Sequence, residues 1–214
     1  MAIASNLKAT QNSLPKEVTL VAVSKTKPNT AILEAYNAGQ RVFGENKVQE
    51  LVQKAEELPK DIAWHMIGHL QTNKVKIIAP FVALIHGVDS LKLLKEINKR
   101  AEQNNRIIDC LLQVHIATES SKFGFGIEEV ESALNQAEEF KNIRITGLMG
   151  MATFTDDTQQ VSQEFKSLKT VFDSIKNDHI TTLSMGMSGD YNLAIEQGST
   201  MVRVGSAIFG HRNK

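Results

Sequence analysis

The chain has 214 residues, with 24 basic and 24 acidic side chains, 42% hydrophobic and 22% charged residues. That is enough sequence for one large domain or two small ones with a full core, and the even charge argues against a nucleic-acid binder, which concentrates a basic excess on one face. The longest apolar run, about Ile77 to Ile85, contains Pro80 and is too short to cross a bilayer, and the N-terminus lacks the basic-then-apolar layout of a signal peptide.

In chain order, residues 1–14 read as a polar amphipathic helix. From there, short apolar β-branched stretches alternate with longer stretches of helical period. Strands are expected at Val18–Ser24, Arg41–Gly44, Ile62–Ile67, Phe81–Gly87, Ile108–His115, Arg144–Met151, Thr182–Met185 and Met201–Gly205. Helices are expected near Asn29–Ala38, Lys47–Glu57, Thr72–Ile78, Ser90–Asn104, Ile127–Phe140, Thr158–Asn177 and Tyr191–Gln197. Pro28 suits the first turn of a helix, Gly39 stops one, and Asp89-Ser90 precedes the apolar-periodic run of Leu91, Leu94 and Ile97 and can cap it. No segment has the composition of an interdomain linker.

This alternation implies parallel pairing, because a parallel crossover needs a connection of about this length. Eight strand candidates match the size at which a (β/α)8 barrel closes. An open doubly wound sheet is the alternative, but it normally places a glycine-rich phosphate loop after its first strand. Here that position reads Ser24-Lys25-Thr26-Lys27-Pro28, without glycine. The expectation is an α/β fold, a single (β/α)8 barrel over residues 1–214 with an extra N-terminal helix.

In such a barrel, functional groups gather where the strands end. Lys25 ends the first strand, where partial desolvation, or a nearby cation such as Lys27, favours the neutral, nucleophilic amine. A surface lysine snorkelling from a strand end has the same local sequence. The second strand ends Phe43-Gly44-Glu45-Asn46, with Asn46 as a ligand-orienting amide and Glu45 as either a base or a lysine's partner. The third, Met66-Ile67-Gly68-His69, offers an apolar wall. The loop Ser184–Asp190 presents Ser188 as a hydroxyl donor, and the last strand runs through Arg203 to Gly205-Ser206. Gly205 permits close approach, and the N–H groups of Ser206 and Ala207 suit an anion, a recurrent arrangement after strands seven and eight of this fold. Both loops are also readable as plain tight turns. Arg203 either points into the barrel or lies outward under the helices.

Other motifs fail. Gly124-Phe125-Gly126 lacks the third glycine of a dinucleotide fingerprint, and neither a Walker loop nor a Gly-x-Ser-x-Gly elbow is present. His65 and His69 are four apart but fall in a strand-like run, so no metal site is expected. The Lys/Glu-rich helix from Leu91 to Gln103 reads as a solvated face, and Cys110, the single cysteine, as a reduced core thiol.

Taken together, VAVSKTKP (21–28), FGENKVQE (43–50), WHMIGHLQTNK (64–74), ESSKFGF (119–125), GLMGMA (147–152), SMGMSGDY (184–191) and MVRVGSAIFG (201–210) resemble the pyridoxal-phosphate homeostasis protein family, single-domain relatives of the alanine racemase barrel. The resemblance covers nearly the whole chain in order. It departs from the pattern at Lys47, where relatives often carry tyrosine.

The resemblance implies a fold-type III barrel that binds pyridoxal 5′-phosphate (PLP). By motif match Lys25 is the Schiff-base lysine, Ser188, Gly205 and Ser206 bind the phosphate, Arg203 faces the pyridine nitrogen, and Asn46 lies near the ring hydroxyl and imine. Lys27 and Lys122 match family lysines of less certain role. A permanently charged arginine at the ring nitrogen disfavours the protonated, electron-withdrawing ring. The racemases' second base comes from an added β-domain of a partner subunit, for which this chain has no residues left over. The expectation is therefore a cytoplasmic, monomeric PLP-binding protein of vitamin B6 homeostasis that holds the cofactor as a lysine aldimine and delivers it to apo PLP-dependent enzymes. It is not an efficient enzyme, and no nucleic acid, membrane or metal is involved. The alternative is a small PLP-dependent amino-acid racemase or a cofactor-free Schiff-base lyase. A sugar-phosphate isomerase or a protein-interaction barrel needs only the phosphate turn, and the isomerase would need a carboxylate base at a strand end, with Glu45 the clear candidate.

Overall fold

The computed structural model describes residues 2–120 and 123–210. Among these, eight strands, β1 (Thr19–Val23), β2 (Val42–Glu45), β3 (Ala63–Met66), β4 (Leu84–Val88), β5 (Ile108–Gln113), β6 (Ile143–Met149), β7 (Thr182–Met187) and β8 (Met201–Val204), pair in sequential order and close into a barrel. Pairing is parallel, and β1 meets β8 through Thr19–Met201 to Ala22–Val204. The closed ring settles the choice between barrel and open sheet that the sequence left to the missing glycine loop.

Between and before the strands lie α1 (Ile3–Ser13), α2 (Asn29–Asn37), α3 (Val48–Glu57), α4 (Val75–Ile78), α5 (Leu91–Gln103), α6 (Val130–Ala137), α7 (Thr158–Ile175), α8 (Tyr191–Glu196) and α9 (Ser206–Phe209). Their ends follow local chemistry. Pro28 precedes α2 in an extended conformation, and Gly39, at φ +106°, ends it where a side chain would be strained. Ser90 Oγ accepts the Leu93 N–H at 3.3 Å and caps α5, while Asp157 accepts from Gln159 and Gln160 to cap α7.

The two-residue period of the strands sorts the core into two layers. Val21, Val23, Ile67, Leu84, Leu111, Met149 and Met201 pack together inside the ring. Their neighbours, such as Ala22, Phe43, Trp64, Ile85, Leu112 and Val202, join the apolar faces of the helices. Phe43 is fully buried and meets Trp64 with ring centroids 5.9 Å apart. Burial of a side chain of that size stabilises by about 1.5–3 kcal/mol. The helix after β8 is a single turn, and α1 packs against both α9 and α2, with Leu7 fully buried and Asn6 Nδ2 donating to the Ile208 carbonyl at 3.1 Å.

Some boundaries differ from the sequence reading. The fourth strand begins at Leu84 rather than Phe81, because the Phe81 and Val82 N–H groups still bond the Ile78 carbonyl at the end of α4. The helix expected over 72–78 divides into a 3₁₀ turn, Thr72–Lys74, and α4. The seventh strand continues to Met187.

Candidate functional site

A cavity of about 1180 Å³ opens at the carboxyl ends of the strands. It is lined by Lys25, Asn46, Ser188, Arg203, Gly205 and Ser206, so all six residues singled out from sequence meet at one place. The ends of four strands, β1, β2, β7 and β8, supply them.

Lys25 lies two residues beyond the end of β1, after Ser24, and is half-buried. The turn it sits in is unusual, for the next residue, Thr26, has φ 64°. A β-branched residue rarely adopts that region. Lys27, whose charge the sequence offered as a perturbing cation, donates from Nζ to the carbonyl oxygens of Phe209 and Gly210 at 2.9 and 3.1 Å. It thereby fastens the β1–α2 turn to the carboxyl end of α9, where a cation is favoured. Asn46 follows β2. Its main chain lies so close to Gly68 that a Cβ there would sit 2.5 Å from the Asn46 carbonyl oxygen, which restricts that position to glycine.

Arg203 shares the inward parity of Met201, so the inward alternative is the correct one. It is 3% exposed. Its Nη1 donates to the Ser184 carbonyl at 2.9 Å and to Ser184 Oγ at 2.5 Å, and its Nη2 to the Gly150 carbonyl at 3.1 Å. Burial lowers its pKa to about 10, against the opposing charge of Asp190, so it stays cationic at neutral pH. Behind it runs a buried chain of polar groups. Ser184 Oγ lies 3.0 Å from His86 Nδ1, and His86 Nε2 lies 3.0 Å from His65 Nδ1. Burial lowers the His65 pKa to about 4, and burial, then the charges of His65 and Arg203, push His86 well below its ordinary value. Both imidazoles are therefore neutral at pH 7. His65 belongs to this interior chain, whereas His69 stands on the rim.

At the far wall, Ser188 Oγ accepts the Gly205 N–H at 3.0 Å. The N–H groups of Ser206 and Ala207 begin α9 and have no intrahelical acceptor. Gly205 is pressed against β1, since a Cβ there would lie 3.2 Å from the Val23 carbonyl oxygen.

Two expectations change. Glu45 faces away from the cavity. It is fully buried beside α3, where Oε1 accepts from Lys54 Nζ at 2.7 Å, so its reading as a catalytic base falls and its reading as a lysine partner stands. Burial raises its carboxyl pKa, opposed by the bonds from Lys54 and Ser24. The third strand's apolar wall is Ile67 alone. His69 instead bonds Asp89 through Nδ1 at 3.0 Å and stacks on Phe123, with ring centroids 4.0 Å apart.

Sequence reasoning passed over Gln113, a buried residue at the end of β5 that also lines the cavity and donates to the Phe123 carbonyl at 2.9 Å. Its inward parity with Leu111 was the available signal. The rim also carries Phe123, Phe154 and Met187, with Phe154 97% exposed. Lys122 lies outside the described residues.

The match to known proteins runs the length of the chain. The family model for the alanine racemase N-terminal domain matches residues 1–213. The pyridoxal phosphate homeostasis protein of Aquifex aeolicus is 40% identical over 197 residues, covering 90% of this chain and 86% of the relative. That of Escherichia coli strain K12 is 38% identical over 205 residues, covering 93% and 88%. The structure of PipY from Synechococcus elongatus PCC7942 with PLP bound superposes with a TM-score of 0.88 at 36% identity, over 97% of this chain and 100% of PipY. An alanine racemase of Clostridium difficile 630 shares the fold, with a TM-score of 0.81 at 14% identity over 56% of its own length. On these matches, the chain belongs to the pyridoxal phosphate homeostasis protein family, built on the alanine racemase N-terminal fold.

Proposed function

We propose that residues 1–214 act as one PLP-binding domain that holds the cofactor on Lys25 and passes it to apo PLP-dependent enzymes, as part of intracellular vitamin B6 homeostasis. The observation that carries this reading is the convergence of a half-buried amine, a buried guanidinium and a glycine-serine turn on one cavity. The names of the relatives and the PLP held by PipY support it.

The residues present fit the cofactor. Ser188, Gly205 and Ser206 offer a hydroxyl and main-chain donors for its phosphate, and the tight packing of Gly205 on Val23 leaves that turn free of a side chain. Arg203 is assigned to the ring nitrogen, where a cation favours the unprotonated acceptor. Asn46 is assigned to the neighbourhood of the ring hydroxyl. When bound, PLP supplies an aldehyde that condenses reversibly with an amine, and a ring that draws electrons from the attached carbon. With Arg203 cationic the second property is muted, which favours holding over turnover.

The protein is proposed to work as a cytoplasmic monomer. No helix among the described residues is long and apolar enough to cross a membrane. The test is spectroscopic. Purified protein loaded with PLP is yellow, borohydride fixes the label, and peptide mapping finds it on Lys25. Lys25→Ala loses the band. A label on another side chain, or unchanged colour in the variant, overturns the reading.

The second reading, a small racemase, is favoured by one observation, the His69–Asp89 pair at the cavity rim. A histidine so oriented is a candidate acid–base group.

A further inference from the structure

The turn that carries Lys25 is gripped from outside the barrel by three charged side chains that do not line the cavity. Lys54, on α3, is buried. Its Nζ donates to the Ser24 carbonyl oxygen at 2.8 Å, to Glu45 Oε1 at 2.7 Å and to Glu50 Oε1 at 2.7 Å. Ser24 Oγ donates to the same Glu45 oxygen at 2.5 Å. Glu50 Oε1 also accepts the Thr26 N–H at 2.5 Å. Ser24 and Thr26 are the residues on either side of Lys25, so the cluster holds the main chain immediately before and after it.

Three features show that this arrangement is directed at the turn. An ammonium has three donors, and Lys54 commits its bonds to the turn and to the two carboxylates that also hold it. Thr26 occupies the left-handed region at φ 64°, a conformation that persists only where the surroundings impose it. The Glu50 carboxylate is the group bonded to its N–H. Glu45 Oε2 is buried without a hydrogen-bond partner, so the cluster retains a desolvated acceptor that apolar packing would have avoided. Buried ion clusters are poor stabilisers compared with apolar residues of the same volume. What they do that apolar residues cannot is bind polar main-chain groups at fixed points.

We propose that Glu45, Lys54 and Glu50 are positioning residues that set where the Lys25 side chain enters the cavity. They act through the Ser24 and Thr26 main chain and touch no cofactor. The proposal rests on the reading of Lys25 as the residue that bonds the cofactor's aldehyde. Covalent capture depends steeply on amine placement, whereas phosphate and ring binding depend on the opposite wall of the cavity.

Glu50→Ala in the full chain is the first variant, because Glu50 is half-buried and lies at the edge of the cluster. Two ligands separate the effects: PLP, whose capture rate is read by stopped-flow absorbance, and pyridoxine 5′-phosphate, which has the same ring and phosphate but an alcohol in place of the aldehyde. The expected result is capture slowed by about 10- to 100-fold with the affinity for pyridoxine 5′-phosphate unchanged. Glu50→Gln, whose amide oxygen still accepts the Thr26 N–H, keeps most of the rate. Lys54→Met, checked for folding by circular dichroism, repeats the loss. Amide exchange at Thr26 accelerates in Glu50→Ala without any ligand. Unchanged capture in Glu50→Ala, a parallel loss of pyridoxine 5′-phosphate affinity, or an unaltered Thr26 exchange rate would each overturn the proposal. A borohydride label found away from Lys25 in the wild-type protein would end the functional reading instead, and the grip on the turn would still be decided by the exchange measurement.

Discussion

Ser188 and Gly205 lie 17 residues apart in sequence and are joined by a single hydrogen bond, from the Gly205 N–H to Ser188 Oγ at 3.0 Å. That bond fixes the loop after β7 to the turn after β8. Ser188→Ala removes the acceptor and leaves the N–H to seek water. The expected outcome is a loss of about 1 kcal/mol of stability and a weakening of pyridoxine 5′-phosphate binding by about tenfold, read by thermal unfolding and by titration. Equal affinity in the variant would remove Ser188 from the phosphate wall.

Arg203 is fastened to Ser184 and Gly150 by a planar fork that lysine does not reproduce. Arg203→Lys keeps the charge and leaves buried carbonyl oxygens unmatched. It should lower the stability of the unliganded protein by about 2 kcal/mol, a fall in Tm of about 4–8 °C for a chain of this size. Calorimetry at neutral pH checks this.

The buried histidines set a pH dependence of definite sign. His65 is held neutral, with its pKa lowered from 6.5 to about 4, so the unfolded chain takes up a proton below pH 6.5 that the folded one refuses. Stability from this group is present above pH 6.5 and is lost as pH falls towards 4, by about 3 kcal/mol at the lower end. His86 contributes with the same sign. Glu45 contributes with the opposite one. Its carboxyl is raised above 4.5, so its share is full below 4.5 and is lost as pH rises through the raised value. Urea unfolding across the range, compared between wild type and His65→Asn, isolates the histidine, and the variant's profile should be the flatter.

The carrier reading makes a kinetic forecast. Amino acids incubated in heavy water with the loaded protein should gain α-deuterium no faster than with free PLP. Incorporation far above that background would establish a racemase, and His69→Ala would then be the variant to abolish it, since His69 is the rim histidine held by a carboxylate.

The barrel was readable because each strand announces itself twice, once as a β-branched run and again by the helical period that follows. Lys25, Asn46, Arg203 and Gly205 were readable because strand ends converge in this fold. Contacts between side chains that are remote in sequence were not. Nothing around Glu45 says that its carboxylate turns outward to Lys54, because parity is fixed only when Gly44 is seen to pack inward against Val21 and Ile67. The chain from Arg203 through Ser184 and His86 to His65 joins four strands, β8, β7, β4 and β3, and no local spacing encodes it. Asp89 was read as part of a helix cap. Ser90 does the capping, and Asp89 holds His69.

Cys110 is the single cysteine of the chain and lies fully buried in β5, with its thiol pKa raised by its surroundings. A thiolate that does not form adds to no aldehyde and reacts with no maleimide. A cysteine introduced at the rim, in place of the solvent-facing Phe154, would thus be alone in accepting a fluorophore, and the passage of ligand through the mouth would be open to direct optical recording.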